Sequence, residues 1–143
     1  MIKISELRNK IIDFNLYLLD LTKIDKKTLG FLIRAYHVNL PIYIIIFMLL
    51  APKLITELTL VFLFLSLSTF ALFDGCFMSM MEKRLDGIDI TIMDPFVQLC
   101  KLEKTNKNRM IISFIVGPLY ISFCLTIYLL RFYIFKGYEQ YLN

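Results

Sequence analysis

Polar and apolar positions fall into long blocks along this chain. Three stretches contain no Asp, Glu, Lys or Arg: Ala35 to Pro52 with 18 residues, Leu58 to Phe73 with 16, and Met110 to Leu130 with 21. An α-helix rises about 1.5 Å per residue and the hydrocarbon core of a bilayer is about 30 Å thick, so about 20 residues cross it. The blocks therefore predict three transmembrane helices, over about 29–50, 54–74 and 110–131. Arg34 is expected to snorkel from the first span to the headgroups. Pro41 and the Gly117-Pro118 pair are expected to bend their helices. Ala51-Pro52-Lys53 joins the first two spans as a tight hairpin, and Lys53 can pair with Glu57 one turn on.

The first 21 residues carry a different pattern. Ile4, Leu7, Ile11, Phe14, Leu18 and Leu21 recur at spacings of three and four, which predicts an amphipathic helix with Ser5 as its N-cap. Such a helix lies in the headgroup layer, or packs on the chain's own spans or on a partner helix. A polar break over 22–28 follows, where Asp25 is placed to cap the first span. The organisation is then an amphipathic N-terminal segment, 1–28, and a three-span membrane domain, 29–143, with a loop over 75–109. The second span is expected to run on as a helix past Asp74 to Leu85, stopping at Asp86-Gly87. Within the loop, Ile88 to Met93 alternates and reads as extended, and Asp94-Pro95 opens a short helix. Thr105 or Asn106 caps the third span.

Composition agrees with an all-α membrane protein. The 143 residues are 58% apolar and 20% charged, against about 45–50% and 25% for soluble domains. This length leaves no room for a separate soluble domain, and the chain is too apolar for disorder. Thirty-four mixed residues precede the first block, so the first span is expected to serve as the insertion signal. Cys76, Cys100 and Cys124 do not form a disulfide framework pattern.

Charge sets an expected orientation. Seven basic residues precede the first span and six lie between the second and third; only Lys53, Arg131 and Lys136 fall on the other side. The positive-inside bias puts the N-terminus and the 75–109 loop in the cytosol and the C-terminus opposite. The basic face suits anionic lipid headgroups, and nothing points to nucleic acid.

The densest chemistry lies in Asp74-Gly-Cys-Phe-Met-Ser-Met-Met-Glu-Lys-Arg-Leu-Asp-Gly. On a helix, Cys76, Ser79 and Glu82 share one face. A thiol nucleophile needs a base beside it, and His37 is the only histidine. It serves only if it lies at the same depth as Cys76. One His, one Cys and scattered carboxylates make a poor zinc set, so no metal and no cofactor are predicted. His37 and Asn39 are expected to make hydrogen bonds between helices. Ser113 and Gly117 form a small-x-x-x-small pair that allows close helix approach.

The run Cys76-Phe-Met-Ser79-Met-Met-Glu82 and then Asp94-Pro95-Phe96, after a His37-bearing first span, resembles a group of small uncharacterised multi-pass membrane proteins of large DNA viruses, with distant bacterial relatives. Their pattern is Cys-x-[Leu/Met]-[Ser/Thr]-x-x-Glu followed by Asp-Pro. Met78 stands where Leu is commoner, and the likeness spans residues 35 to 110. It implies a viral or virus-derived membrane protein and marks Cys76, Ser79, Glu82 and Asp94 as its motif positions. It brings no activity.

No complete site is legible in one dimension. The expected role is accordingly non-enzymatic, a structural or scaffold component in a host or virion membrane that partners lipid, a second copy or another membrane protein. Two other readings stand beside it. One is an oligomeric small transporter or pore built around Pro41, Gly117-Pro118, His37 and Asn39. The other is a thiol-dependent or redox enzyme using Cys76.

Overall fold

A computed structural model describes residues 4–134 and is helical throughout its regular elements. Six α-helices occur in the order α1 (Ile4–Asp20), α2 (Lys26–Leu50), α3 (Lys53–Leu72), α4 (Phe77–Asp86), α5 (Asp94–Leu99) and α6 (Asn106–Leu129), and α6 ends in a π-turn over Leu130–Ile134. Lys3 and Lys136, counted in the charge bias, lie outside the described residues, as does the C-terminus.

Three helices are long and apolar enough to cross a membrane: α2, α3, and α6 with its π-turn. Only 11%, 17% and 22% of their apolar windows are buried against the rest of the chain. The surface left over is hydrocarbon-like and far exceeds what water tolerates on a monomer. Where the helices do meet, Ile44 and Met48 of α2, Leu60 and Leu63 of α3, and Ile121, Cys124 and Tyr128 of α6 form a common core. Gly117 brings α6 against α3, since a Cβ there would stand 3.1 Å from Leu67 Cδ1. Ser113, the other half of that small-residue pair, turns its hydroxyl onto its own helix, donating to Arg109 O at 2.9 Å.

The starts of the spans follow their caps. Asp25 accepts from the Thr28 amide at 3.0 Å at the head of α2, and Thr105 accepts from the Asn108 amide at 3.2 Å at the head of α6. Each satisfies one of the four donors that a helix N-terminus leaves free. Ser5 lies inside α1 and is not its cap. Pro41 sits within α2 and has no amide hydrogen, so the His37 carbonyl loses its usual donor four residues on. The Pro41 carbonyl accepts from the Tyr120 hydroxyl at 2.6 Å, which ties α2 to α6.

A second expectation about the fold fails, and this failure positions the site. The second span does not run on to Leu85. Helix α3 stops at Leu72, with Asp74 in the left-handed conformation (φ 52°) and Gly75 at φ 146°. The Gly75 amide donates back to Phe70 O at 3.1 Å, the capping bond of a helix that ends on a left-handed residue. Arg8 of α1 adds a cation there, donating to the Phe73 carbonyl at 2.7 Å. The chain then turns, and α4 starts as a new helix with Cys76 at its N-cap. Gly87, at φ 73°, ends α4.

Helix α4 packs most extensively on α2. Gly30 allows this approach, because a Cβ there would stand 3.0 Å from the Asp86 side chain. Helix α1 closes over α4 through Arg84, which pairs with Asp13 and donates to Asn9 Oδ1 at 2.9 Å. At the far end, Arg131 donates to the last-turn carbonyl of Met48 at 2.9 Å and Tyr128 to Glu57 at 2.6 Å. Lys53 stands 3.8 Å from Glu57, as the spacing predicts.

Candidate active site

The break before α4 brings Cys76, His37 and Glu82 into one line. Cys76 Sγ lies 3.5 Å from His37 Nε2. On the other side of the ring, His37 Nδ1 lies 2.7 Å from Glu82 Oε1. An ionised carboxylate only accepts, so Nδ1 carries the proton toward Glu82 and Nε2 faces the thiol. This is the serial order of nucleophile, base and orienting acid. Exposure follows the same order. Cys76 is half-buried, the His37 side chain is 12% exposed and Glu82 2% exposed. The carboxyl end of the line is sealed and the sulfur end is the more open one.

Arg34 completes the acid's surroundings. Its Nε stands 3.5 Å from Glu82 Oε2, and its Nη2 pairs with Asp86 Oδ2 at 2.8 Å. Arg34 therefore does not reach away toward headgroups as the sequence suggested. It lies one turn from His37 on α2, 19% exposed, and holds the two carboxylates of α4. The Glu82 carboxyl thus lies between a guanidinium and an imidazole, and these partners offset the cost of burying it.

The sulfur's environment favours the thiolate. Burial pushes the Cys76 thiol up. The hydrogen bond and charge of His37 push it down further, helped by the backbone amides of Ser79 and Met78, and the net direction is below the ordinary thiol value. The sulfur makes no capping hydrogen bond to α4, so those amides act by their dipoles. As first-turn amides of α4 they are among the donors that a helix N-terminus leaves without a partner in the helix.

The other positions singled out in the sequence separate from this line. Ser79 contributes its backbone to the sulfur's surroundings. Asp94 belongs to a different cluster, bound by Arg109 Nε at 2.7 Å and by the amide and hydroxyl of Thr91 at 3.1 Å each. Among the described residues Asn39 makes no hydrogen bond between helices; its side-chain amide donates to Ala35 O of its own helix at 2.8 Å. Cys100 is exposed and Cys124 is buried in the core. Among the described residues no three His, Cys, Asp or Glu side chains are placed to hold a metal ion. His37 has a neighbour on each nitrogen, so the three groups run in series and do not converge on a point. Arg34 and Arg109 were missed as partners in the sequence. Each is the basic residue next to an uncharged block, which is the signal that marked them.

No protein-family model matches the chain, nor does any curated protein or solved structure.

Proposed function

We propose that this chain is a membrane-integrated cysteine enzyme that cleaves or transfers acyl groups, with Cys76 as nucleophile, His37 as general base and acid, and Glu82 as orienting acid. The observation that carries the reading is the Cys76–His37–Glu82 series, 3.5 Å and 2.7 Å between neighbours. A scaffold has no use for a thiol directed at an imidazole that a buried carboxylate orients. A redox relay would need a second thiol or a metal at the site. A pore would not seal its one histidine between α2 and α4.

His37 Nε2 takes the Cys76 proton, and the sulfur's lone pair forms an S–C bond to the carbonyl carbon of the substrate. The carbonyl π pair moves to oxygen, where the first-turn amides of α4 face it. Collapse re-forms the C=O and breaks the bond to the leaving group, which departs with the proton held on His37. The product is a thioester on Cys76. Water or an acceptor hydroxyl then gives its proton to His37 and attacks the thioester, and the Cys76 thiolate leaves and is reprotonated. Glu82 keeps the Nδ1 tautomer throughout and stabilises the imidazolium.

In this reading α2, α3 and α6 span the bilayer. The end bearing α1, α4 and α5 faces the cytosol, supported by the 13 to 3 division of basic residues, and α1 lies against the headgroups. The six-residue spacing from Cys76 to Glu82, shared with the virus-associated group, is the separation that lets both reach one imidazole.

The test is direct trapping. Purified protein in detergent or nanodiscs, mixed with a hexadecanoyl thioester, is expected to release the thiol and to carry a hydroxylamine-sensitive acyl group on Cys76. Cys76→Ala should do neither. Thiol release by Cys76→Ala equal to wild type refutes the assignment.

A further inference from the structure

The depth of the series at Cys76 and its surroundings narrow the substrate class. On α2, Arg34 is the last charged residue before Lys53, and His37 lies three residues farther in. On the α3 side, no charge occurs between Glu57 and Asp74, and Cys76 follows Asp74 by two residues. The reacting pair therefore sits at the inner edge of the charged layer, with Arg34, Glu82 and Asp86 stacked on its outer side. Lipid ester carbonyls occupy that boundary between headgroups and hydrocarbon. A water-borne peptide meets the charged side first.

A groove of about 390 Å³ runs down the adjoining faces of α2 and α3, lined by Tyr36, Leu40 and Phe47 on one wall and Leu58 and Phe62 on the other. Tyr36 precedes His37, and Leu40 lies one turn below it, so the groove begins at the level of the imidazole. From Tyr36 to Phe47 it extends about 16 Å at the helical rise, close to the depth of one leaflet, half of about 30 Å. The Thr59 hydroxyl on its wall is spent on its own helix, donating to Ile55 O at 2.8 Å. Its lining is predominantly apolar and lies within the spans, where hydrocarbon is the surrounding medium.

We infer that this groove holds the hydrocarbon chain of a bilayer lipid whose ester carbonyl is the group that Cys76 attacks. The inference rests on the acyl-transfer reading above. The S–C bond forms at the lipid's carbonyl carbon, and the C–O bond to the lipid backbone breaks. The deacylated lipid alcohol leaves with the proton from His37. Water then cleaves the Cys76 thioester to the fatty acid.

The full-length protein in nanodiscs of phosphatidylcholine and phosphatidylglycerol provides the test. Cys76 is alkylated in parallel with iodoacetamide and with N-hexadecyl iodoacetamide, which react by the same displacement, and the adduct is quantified on the Cys76 peptide. Both probes partition identically in every variant's discs, so the groove is the only changed element. Filling it with Thr59→Trp is expected to lower the ratio of the hexadecyl rate to the iodoacetamide rate about tenfold, as loss of about two buried methylenes would. Leu58→Trp serves as a second filling variant. A ratio within about twofold of wild type in both, less than loss of a single methylene contact would give, overturns the inference. In the same discs, a phosphatidylcholine carrying a thioester in place of its acyl ester should release its thiol. Deacylation of an S-hexadecanoyl transmembrane peptide with none of that lipid also overturns it. Failure of the underlying reading shows elsewhere, as an iodoacetamide rate indifferent to His37.

Discussion

Two buried charge clusters sit at the same end of this molecule, and they differ in one respect. Around Arg109 every guanidinium nitrogen is engaged: Nε on Asp94 Oδ1 at 2.7 Å, Nη1 on Asp89 Oδ1 at 2.7 Å, and Nη2 on Asp94 Oδ2 and Asp89 O at 3.0 and 2.9 Å. The cluster closes on itself and fastens α5 and the preceding loop to the head of α6. Around His37 the chain of contacts is open. Glu82 is sealed by Arg34 and the imidazole, but the line ends on a half-buried sulfur whose one side-chain partner among the described residues is His37. Saturation makes a structural joint. An open end, backed by an imidazole, is what the proposed chemistry uses. Composition alone does not separate them, because each cluster contains one Arg and two carboxylates.

The comparison breaks most forcefully at Arg109. Arg109→Ala leaves Asp94, 4% exposed, without its cation, and should cost about 3–5 kcal/mol of stability, read as a lowered Tm in detergent. The iodoacetamide rate of Cys76 in the protein that remains folded should be unchanged. The same joint is acid-sensitive. Burial raises the Asp94 carboxyl, the bonds from Arg109 and Thr91 outweigh it, and the net pKa is lowered. Its contribution is therefore complete above the ordinary carboxylate value of about 3.9, and is lost as pH falls through the lower folded value. Thermal melts of wild type should show this loss, and Arg109→Ala melts should show less of it.

At the other cluster, Glu82→Gln keeps an acceptor for the imidazole but removes the charge that stabilises its protonated form. Thioester turnover per folded molecule should fall about a hundredfold, the lower end of what positioned acid–base catalysis contributes. Unchanged turnover would remove Glu82 from the site. Gly75→Ala, at φ 146° and with its Cβ 2.7 Å from Met80 Cε, should cost about 2 kcal/mol and slow Cys76 alkylation, because it shifts the N-cap of α4. The smallest effect belongs to the packing between spans. Gly117→Leu presses on Leu67 and should cost about 1–2 kcal/mol, whereas Leu119→Ala, 65% exposed, should change the Tm by less. Equal effects would mean that Gly117 marks no close approach.

The three span-length helices and the hairpin were legible because uncharged blocks of sufficient length have no other stable solution. The caps at Asp25 and Thr105 were legible because they are local. Cys76, Ser79 and Glu82 were legible as residue types on one helix face, but their use was not. Reading α3 as continuous through Asp74 carries Cys76 along the span's own axis. The bend at Asp74 and Gly75, and the approach that Gly30 allows, are what return α4 to His37. Neither is a periodicity. Arg34 was read as a snorkelling cation and Arg109 only counted among the six basic residues of the loop, since a sequence shows a charge beside an apolar block but not the carboxylate that folds back onto it.

The central claim is that His37 activates Cys76, and the pH dependence of Cys76 alkylation tests it most directly. Carboxymethylation by iodoacetamide in nanodiscs is followed from acid to alkaline pH for wild type and His37→Ala. The account predicts a wild-type midpoint below the free thiol value of about 8.5 and a His37→Ala midpoint at or above it, with the rate at neutral pH falling about thirtyfold. Coincident profiles for the two proteins would contradict it.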